Sequence, residues 1–203
     1  MDKLFEWWAV HKREFPWRMT SDPFRLLVAE MLLQRSRSTS VGKVYLALFE
    51  KWPSPEDIRD ADTPDIESVI RPLGLVSRAK RIKDMAIAWL SRKPTPKNSR
   101  ELRSLPGVGI YTANATAIAM GWDSDACVDS VSARVLRRVS GNQEGNESDA
   151  HVASAFYRRV PNRQWRDLNW AILDLGAMLC LPKNPRCLPC PLCNDCEWHK
   201  TNG

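Results

Sequence analysis

The chain has 203 residues, enough for one domain or two small ones with a substantial core, and 43% of them are apolar and 27% charged. This composition excludes a disordered protein, and no segment has the length of a membrane span. The net charge of +6 is only weak support for a polyanionic partner. The N-terminus lacks the basic start and apolar run of a signal peptide, so we expect a cytoplasmic protein without a targeting signal.

Helical periodicity recurs along the chain, whereas the sustained alternation typical of strands is absent. Asp22 is a candidate helix cap, with Pro23 at the first helical position. Helices are predicted from Leu4 to just before Phe15 and over residues 24–34, 41–49, 54–61, 63–70, 77–91, 100–104, 110–121, 128–140, 149–160 and 164–180. We therefore predict an all-α fold, followed by a cysteine-rich tail with little regular structure.

The segment from Leu105 to Gly109 forms a tight turn between two predicted helices. Proline cannot continue a helix, and the two glycines allow the backbone to pass close to another molecule. The amides of this turn and of the first turn of the next helix have no intrahelical partner, and they suit a phosphate oxygen. We predict a sequence-independent contact with nucleic acid at Leu105, Gly107, Val108 and Gly109.

Two carboxylates are candidates for catalysis. Glu30 lies in the apolar run Leu26–Leu33, where desolvation would raise its pKa as a general acid requires. The more common alternative is a carboxylate turned to water or held in a buried ion pair. Asp129 begins a predicted helix and could be a simple N-cap, although a cap can also point into a cleft.

Basic and polar side chains follow Glu30 at the end of its helix. Gln34, Arg35 and Arg37 could insert into a duplex or contact phosphates, or they could simply solvate a helix end. A second basic edge, on the helix 77–91, is most simply a solvated face.

The tail contains five cysteines in a short stretch. In a reducing compartment such a cluster favours a metal site over disulfides. Cys180, Cys187, Cys190 and Cys196 could bind zinc or a [4Fe-4S] cluster, and the spacing alone slightly favours zinc. Cys193 is an additional thiol in the last gap. Either metal group would stabilise a tail that is too poor in apolar residues to fold alone.

Taken in order, these motifs resemble the helix-hairpin-helix DNA glycosylase superfamily with an iron–sulfur cluster. This superfamily includes endonuclease III, the MutY-type adenine glycosylases and the archaeal thymine glycosylases that act on T/G mismatches. The resemblance covers nearly the whole chain. The matching segments are Phe15–Arg18 with Asp22–Pro23, Ala29–Gln34, Leu105–Gly109 with Tyr111–Ala113, Val128–Asp129 with Arg134–Leu136, Asn169–Ala177 and the cysteine series.

The resemblance implies an all-α fold of two lobes with the target base entering between them. Residues 24–125 would form a six-helix barrel with the hairpin. Residues 1–23 and 126–203 would join the N-terminal helix to the C-terminal helices and the cluster. The resemblance also assigns a [4Fe-4S] cluster to the four cysteines at 180, 187, 190 and 196, which leaves Cys193 as a spare thiol.

The activity implied is that of a DNA glycosylase, which flips a base out of double-stranded DNA and hydrolyses its N-glycosidic bond. Asp129 matches the family's catalytic aspartate. Glu30 matches the glutamate that protonates adenine in the MutY type and that holds the flipped base in the thymine enzymes. Bifunctional members have a lysine where this chain has Tyr111, so we predict a monofunctional enzyme with Tyr111 against the flipped base. We expect the enzyme to be a monomer. Gln34 and Arg35 would lie at the base pocket or insert into the DNA.

The predicted substrate is thymine or uracil opposite guanine. The stretch Leu32–Ser36 is closer to the thymine enzymes, the tyrosine pair of the MutY type is missing from Leu73–Arg78, and the chain ends just beyond the cysteines. Adenine opposite guanine or oxidised guanine is the alternative, and a non-catalytic lesion-binding protein is the second alternative. Val131 stands where the MutY and thymine enzymes usually have asparagine, which would remove a polar group from the pocket.

Overall fold

In the computed structural model, residues 1–74 and 76–202 are described. They form twelve α-helices, α1 to α12 in chain order: Asp2–His11, Pro23–Leu33, Ser38–Lys51, Pro55–Asp60, Thr63–Ile70, Arg78–Ser91, Ser99–Leu102, Ile110–Met120, Ser130–Ser140, Asp149–Tyr157, Trp165–Met178 and Glu197–Asn202. Within the described ranges, the only strand-like pairing is an isolated bridge between Asn98 and Asp123. The predicted all-α fold is therefore confirmed. No helix in this part of the chain could cross a membrane.

Local capping explains where several helices begin. The Asp22 side chain accepts hydrogen bonds from the amides of Phe24 and Arg25, at 2.8 and 3.3 Å, so the predicted cap of α2 is present. Ser54 caps α4 in a reciprocal capping box with Asp57. Polar caps thus fix the helix starts that proline at the first helical position already favours.

The chain divides into two compact units, which we call the central unit, residues 14–124, and the terminal unit, residues 1–13 with 125–202 of the described chain. The central unit has one continuous apolar core to which all of its helices, α2 to α8, contribute. Leu27, Leu48 and Ile82 are fully buried there. The long apolar run of α2 is buried because the other helices of the unit cover it on nearly all sides.

The segment 14–23 groups with the central unit. The predicted boundary after residue 23, which places this segment in the terminal unit, is therefore wrong. Trp17 is 5% exposed, and its ring meets the ring of Tyr45 in α3 edge-on at a centroid distance of 5.9 Å. The stacked ring of Phe15 covers Trp17 at 4.7 Å. Burial of these aromatic side chains holds the segment to α3.

The terminal unit joins the two ends of the chain through α1 and α11. The carboxylate of Asp174 in α11 is fully buried, and it accepts hydrogen bonds from Trp8 Nε1 at 2.9 Å and Arg13 Nε at 2.6 Å. Helices α9 and α11 approach closely at Gly176, where a Cβ would lie 2.4 Å from Cγ1 of Val131. Glycine is therefore needed at this crossing because any side chain would separate the two helices.

The tail has more regular structure than we predicted. It includes a 3₁₀ turn at Cys193–Asp195 and the helix α12. The guanidinium of Arg138 lies 5.0 Å from the ring centroid of Trp198, and Glu197 packs beside Gly141. Contacts with α9 thus stabilise a short polar helix that has no apolar periodicity of its own.

Candidate active site

Helix α2 positions three of the predicted site residues. Glu30 is half-buried in a helix whose other side chains are mostly in the core. Gln34 and Arg35 follow the last turn of α2, and both are exposed. Arg35 has φ +56°, a left-handed conformation that is uncommon for a residue with a side chain. The helix therefore ends in a tight reversal that turns these two side chains outward.

The predicted hairpin consists of α7, the turn Leu105–Gly109 and α8. Leu105 and Val108 are 3% and 7% exposed, so their side chains anchor the turn in the core, while Pro106, Gly107 and Gly109 are exposed. Gly107 has φ +75°, and a Cβ there would lie 3.0 Å from Cε of Met31 in α2. The turn therefore packs directly on the helix that contains Glu30.

The start of α8 presents backbone donors toward solvent. Gly109 is the N-cap, no side chain caps it, and both Gly109 and Ile110 are exposed. The first-turn amides of a helix have no intrahelical acceptor, and the helix dipole favours an anion at this end. Such a helix start suits a phosphate oxygen, and the contact with nucleic acid at this turn stays a prediction.

Tyr111 is the second residue of α8 and is half-buried. It lies directly after the exposed turn and on the same helix, so the hairpin and Tyr111 form one structural element. A phenol has no amine, and it cannot form a Schiff base with a sugar carbon.

Asp129 lies in the terminal unit, where it is the N-cap of α9 and is half-buried. Its Oδ1 accepts hydrogen bonds from the amides of Val131 and Ser132, at 3.0 and 2.7 Å, and from Ser132 Oγ at 2.9 Å. Its Oδ2 accepts none from the described residues. One oxygen therefore fixes the carboxylate at the helix start, while the other remains available to a substrate or water.

A buried polar group that the sequence did not reveal lies beside this segment. The hydroxyl of Tyr157 donates to Oδ1 of Asn169 at 3.0 Å and accepts a hydrogen bond from the backbone amide of Cys127. Burial raises the pKa of Tyr157 well above its usual value, and the nearby Cys127 and Asp129 raise it further. Tyr157 thus fixes the backbone segment that precedes Asp129.

Val131 packs against α11 at Gly176, in the first turn after Asp129. An apolar side chain suits that helix contact. The loss of a polar group from the pocket at Val131 stays a prediction, and the structure shows that this side chain fills the space beside Gly176.

The tail cysteines converge on one recess of the terminal unit. Cys180, Cys187, Cys190, Cys193 and Cys196 all line it, and the unfilled space is about 370 Å³, including the part open to solvent. Burial raises the pKa of the Cys190 thiol to about 11, and burial followed by the neighbouring cysteine thiols raises that of Cys187. Neighbouring thiols are a donor set that suits a soft metal group, which binds them as thiolates and must displace their protons.

Arg138 of α9 organises the same recess. It donates to Cys180 Sγ at 3.3 Å and to the carbonyl of Leu181 at 2.7 Å, and its own carbonyl accepts from Cys196 Sγ at 3.4 Å. His199 also lines the recess, and its buried Nδ1 has no hydrogen-bond partner among the described residues. In the part of the chain that the structure describes, no three Cys, His, Asp or Glu side chains are arranged to share a single metal ion.

Comparisons with known proteins agree with this geometry. Residues 28–162 match the family model described as HhH-GPD superfamily base excision DNA repair protein. The chain is 31% identical to a thymine/uracil-DNA glycosylase of Methanothermobacter thermautotrophicus, with 97% of this chain and 91% of that protein covered. A solved structure of a thermostable thymine-DNA glycosylase matches with a TM-score of 0.89 at 29% identity, covering 98% and 94% of the two chains. Endonuclease III in a non-covalent DNA complex matches with a TM-score of 0.82 at 27% identity, covering 98% and 93%.

Proposed function

Because this chain belongs to the HhH-GPD superfamily of base excision DNA repair proteins and is a DNA glycosylase, we propose that it removes thymine or uracil opposite guanine and leaves an abasic site. Its similarity over nearly its full length to a thymine/uracil-DNA glycosylase supports this choice of base. The single observation on which the chemistry rests is the Asp129 carboxylate, with one oxygen held by the start of α9 and the other available.

In the proposed reaction the target nucleotide leaves the base stack, because its glycosidic bond is out of reach inside a duplex. Departure of the base generates positive charge on the sugar. Oδ2 of Asp129 stabilises that charge and orients or deprotonates the attacking water. The three hydrogen bonds on Oδ1 keep the carboxylate fixed while the charge develops.

Glu30 and Tyr111 are proposed to contact the flipped base. Glu30 supplies a carboxyl group that can hydrogen-bond to the polar edge of a pyrimidine, and the Tyr111 ring can stack on it or donate its hydroxyl. Because Tyr111 occupies the position of the lysine in bifunctional relatives, the reaction stops after hydrolysis. Strand cleavage by a Schiff-base route is therefore not expected.

The exposed backbone of the hairpin, with Gly107 and Gly109, is proposed to bind a DNA phosphate. Gln34 and Arg35 are proposed to fill or flank the space that the flipped nucleotide leaves. The two elements pack on each other through Met31 and Gly107, so they are held in a fixed mutual arrangement.

We also propose that the cysteine recess holds a [4Fe-4S] cluster through Cys180, Cys187, Cys190 and Cys196, with Cys193 as a spare thiol. The four cysteines line one recess of the terminal unit, which supports a group bound through all of them. When bound, the cluster would cross-link the tail to the rest of the terminal unit.

The test is a panel of duplexes that contain T/G, U/G, A/G or adenine opposite oxidised guanine, each analysed with and without alkali. We expect alkali-dependent cleavage on T/G and U/G. Base release only from the adenine substrates would overturn the proposed specificity, and release from none would favour a lesion-binding protein. Cleavage without alkali, with an imine trapped by borohydride, would show a lyase despite Tyr111.

Asp129→Asn is the informative variant. Asparagine caps a helix as well as aspartate does, so we expect a folded protein whose rate falls by about 100- to 1,000-fold. Asp149→Asn, which makes the same change at the first residue of α10 in the terminal unit, is the matched control and should keep its activity. Equal rates for the Asp129 variant and the control would exclude Asp129 from the chemistry.

A further inference from the structure

Arg78, at the start of α6, is a buried cation that the proposed chemistry leaves without a role. The residue is 3% exposed. It forms no ion pair with a carboxylate among the described residues, and burial, followed by the charge of Arg81, lowers its pKa. A buried charge without a counter-ion is costly unless other groups replace its hydration.

Polar groups at the end of α2 replace the hydration of the Arg78 guanidinium. Arg78 Nη1 donates to the carbonyl of Leu32 at 2.8 Å and to Ser36 Oγ at 3.0 Å. Its Nη2 donates to the carbonyl of Gln34. The last carbonyls of a helix have no intrahelical donor and lie at the negative end of its dipole, so a guanidinium is well suited to satisfy them.

The three acceptors span the reversal that follows α2. Leu32 is in the last turn of the helix, and Gln34 and Ser36 lie on either side of Arg35, whose φ is +56°. A left-handed conformation at a residue with a side chain persists only where the surroundings determine it. The Arg78 fork holds the backbone of this reversal inward, while the side chains of Gln34 and Arg35 are exposed.

We propose that Arg78 is a positioning residue for base excision, because it fixes the end of α2 in the conformation that presents Gln34 and Arg35 to the DNA. This inference rests on the proposed function, which places those two side chains at the flipped nucleotide. Arg78 touches no substrate in this scheme. It acts through the loop, so its removal affects entry of the base into the pocket more than binding of the duplex.

The arrangement requires an arginine specifically. A planar guanidinium can donate to two carbonyls and a hydroxyl from fixed positions at one time, whereas an ammonium is a single point charge. Arg78→Lys is therefore expected to keep the charge but only part of the hydrogen bonding that orders the loop. Arg78→Met is expected to keep neither.

The first measurement concerns the loop in the absence of DNA. We expect Arg78→Met to expose the bonds after Arg35 and Arg37 to trypsin and to speed amide exchange over residues 34–37. Lys80→Met removes a charge from an exposed position of the same helix and should leave both unchanged. Equal protection in wild type and Arg78→Met would overturn the proposal, whatever the enzyme's substrate.

The second measurement is the single-turnover rate on the best substrate of the duplex panel. Displacement of a positioning group far from the reacting atoms can cost about 100-fold, so we expect Arg78→Met to lower the rate by about 10- to 100-fold. Affinity for an undamaged duplex should change by less than about threefold, since that affinity depends chiefly on phosphate contacts. A loss of duplex affinity as large as the loss of rate would overturn the assignment.

A double-mutant cycle tests whether the effect passes through the loop. In a Gln34→Ala, Arg35→Ala background, Arg78→Met should have almost no further effect on the rate, because the side chains that it positions are gone. An undiminished effect in that background would show that Arg78 acts elsewhere.

Ser36→Ala and Arg78→Lys keep the proposal testable if Arg78→Met fails to fold. Both should give intermediate trypsin sensitivity and intermediate rates at unchanged duplex affinity. If no substrate of the panel is cleaved, the proposed function fails, and the trypsin result still decides whether Arg78 orders the loop.

Discussion

In the central unit, apolar side chains from helices α2 to α8 form one continuous core. The terminal unit also buries apolar side chains, such as Leu136, Leu168 and Ile172, but its distant segments are joined in addition by specific polar contacts. The Arg13–Asp174 pair joins residues 161 positions apart, and Arg138 links α9 to carbonyls of the cysteine tail. Burial of apolar area is non-directional and distributed over many residues. The polar contacts are directional, so the loss of one should have a local and identifiable effect.

Removal of the proposed cluster should have the largest effect, and it should change amide-exchange protection in the terminal unit only. In protein depleted of iron, we expect residues 180–202 to lose protection from amide exchange, because the recess lined by the cysteines would no longer be cross-linked. Helices α2 and α8 of the central unit should keep theirs. Exchange measured by mass spectrometry, together with iron analysis, tests both statements.

Cys190→Ser should reproduce the loss of iron and of protection. Cys193→Ser is the matched control, since we assign that thiol no ligand role. If the two variants lose iron equally, the ligand set is wrong, and if zinc is found in place of iron, the cluster is wrong.

Leu27→Ala tests the opposite unit. Leu27 is fully buried in the continuous core, and such truncations typically cost about 3–4 kcal/mol because they remove apolar contacts and leave a cavity. We expect a lower free energy of unfolding and faster exchange throughout the central unit. Leu188→Ala is the control, because Leu188 is 90% exposed and its truncation should cost less than about 0.5 kcal/mol. Comparable losses in the two variants would contradict a single dominant core.

Arg13→Met tests the polar anchor of the terminal unit. Asp174 would keep its bonds from Trp8 and from the backbone amide of residue 13, but it would lose its nearest cation in a fully buried site. We expect a loss of about 3 kcal/mol in chemical denaturation. Arg166→Met removes an exposed ion pair with Asp167 from the same unit and should cost less than about 1 kcal/mol. Equal losses of stability in the two variants would mean that the buried Arg13–Asp174 pair stabilises the protein no more than an exposed one.

The same difference explains which features the sequence could predict. The apolar run of α2, the cap at Asp22 and the glycines of the hairpin are local patterns, and the structure confirms all three. The Asp174–Arg13 pair, the Tyr157–Asn169 pair and the Arg78 fork each join residues that are far apart in sequence or that have no motif. No periodicity or spacing reports such pairings, because they depend on the tertiary fold.

Two errors have the same origin. Helix α12 was missed because its residues have no apolar stripe and it is stabilised by contacts of Trp198 and Glu197 with α9. The segment 14–23 groups with the central unit, and not with the terminal unit as the family resemblance implies, because Trp17 packs on Tyr45 of α3 and Phe15 stacks on Trp17. In both places the deciding contacts are tertiary, and for α12 they outweigh local propensity.

Tyr157→Phe should cause the smallest loss of stability. It tests the hydrogen bonds that fix the backbone segment before Asp129. At neutral pH the variant leaves Asn169 Oδ1 and the Cys127 amide without the phenol, which should cost about 1–2 kcal/mol. The unfolded phenol titrates near pH 10, whereas burial keeps the native phenol protonated to a higher pH. Above about pH 10 the unfolded wild type therefore releases a proton that the native state retains, so its stability falls as the pH rises.

The difference between wild type and Tyr157→Phe should accordingly be largest at neutral pH and should shrink above about pH 10, which denaturation at pH 8 and pH 11 would measure. Tyr45, whose pKa burial raises to about 12, is present in both proteins and cancels in the comparison. A difference that stays constant with pH would show that Tyr157 is not held as a neutral phenol. In that case the segment Cys127–Asp129 would need another anchor, and the fixed geometry of the Asp129 carboxylate would depend on its cap alone.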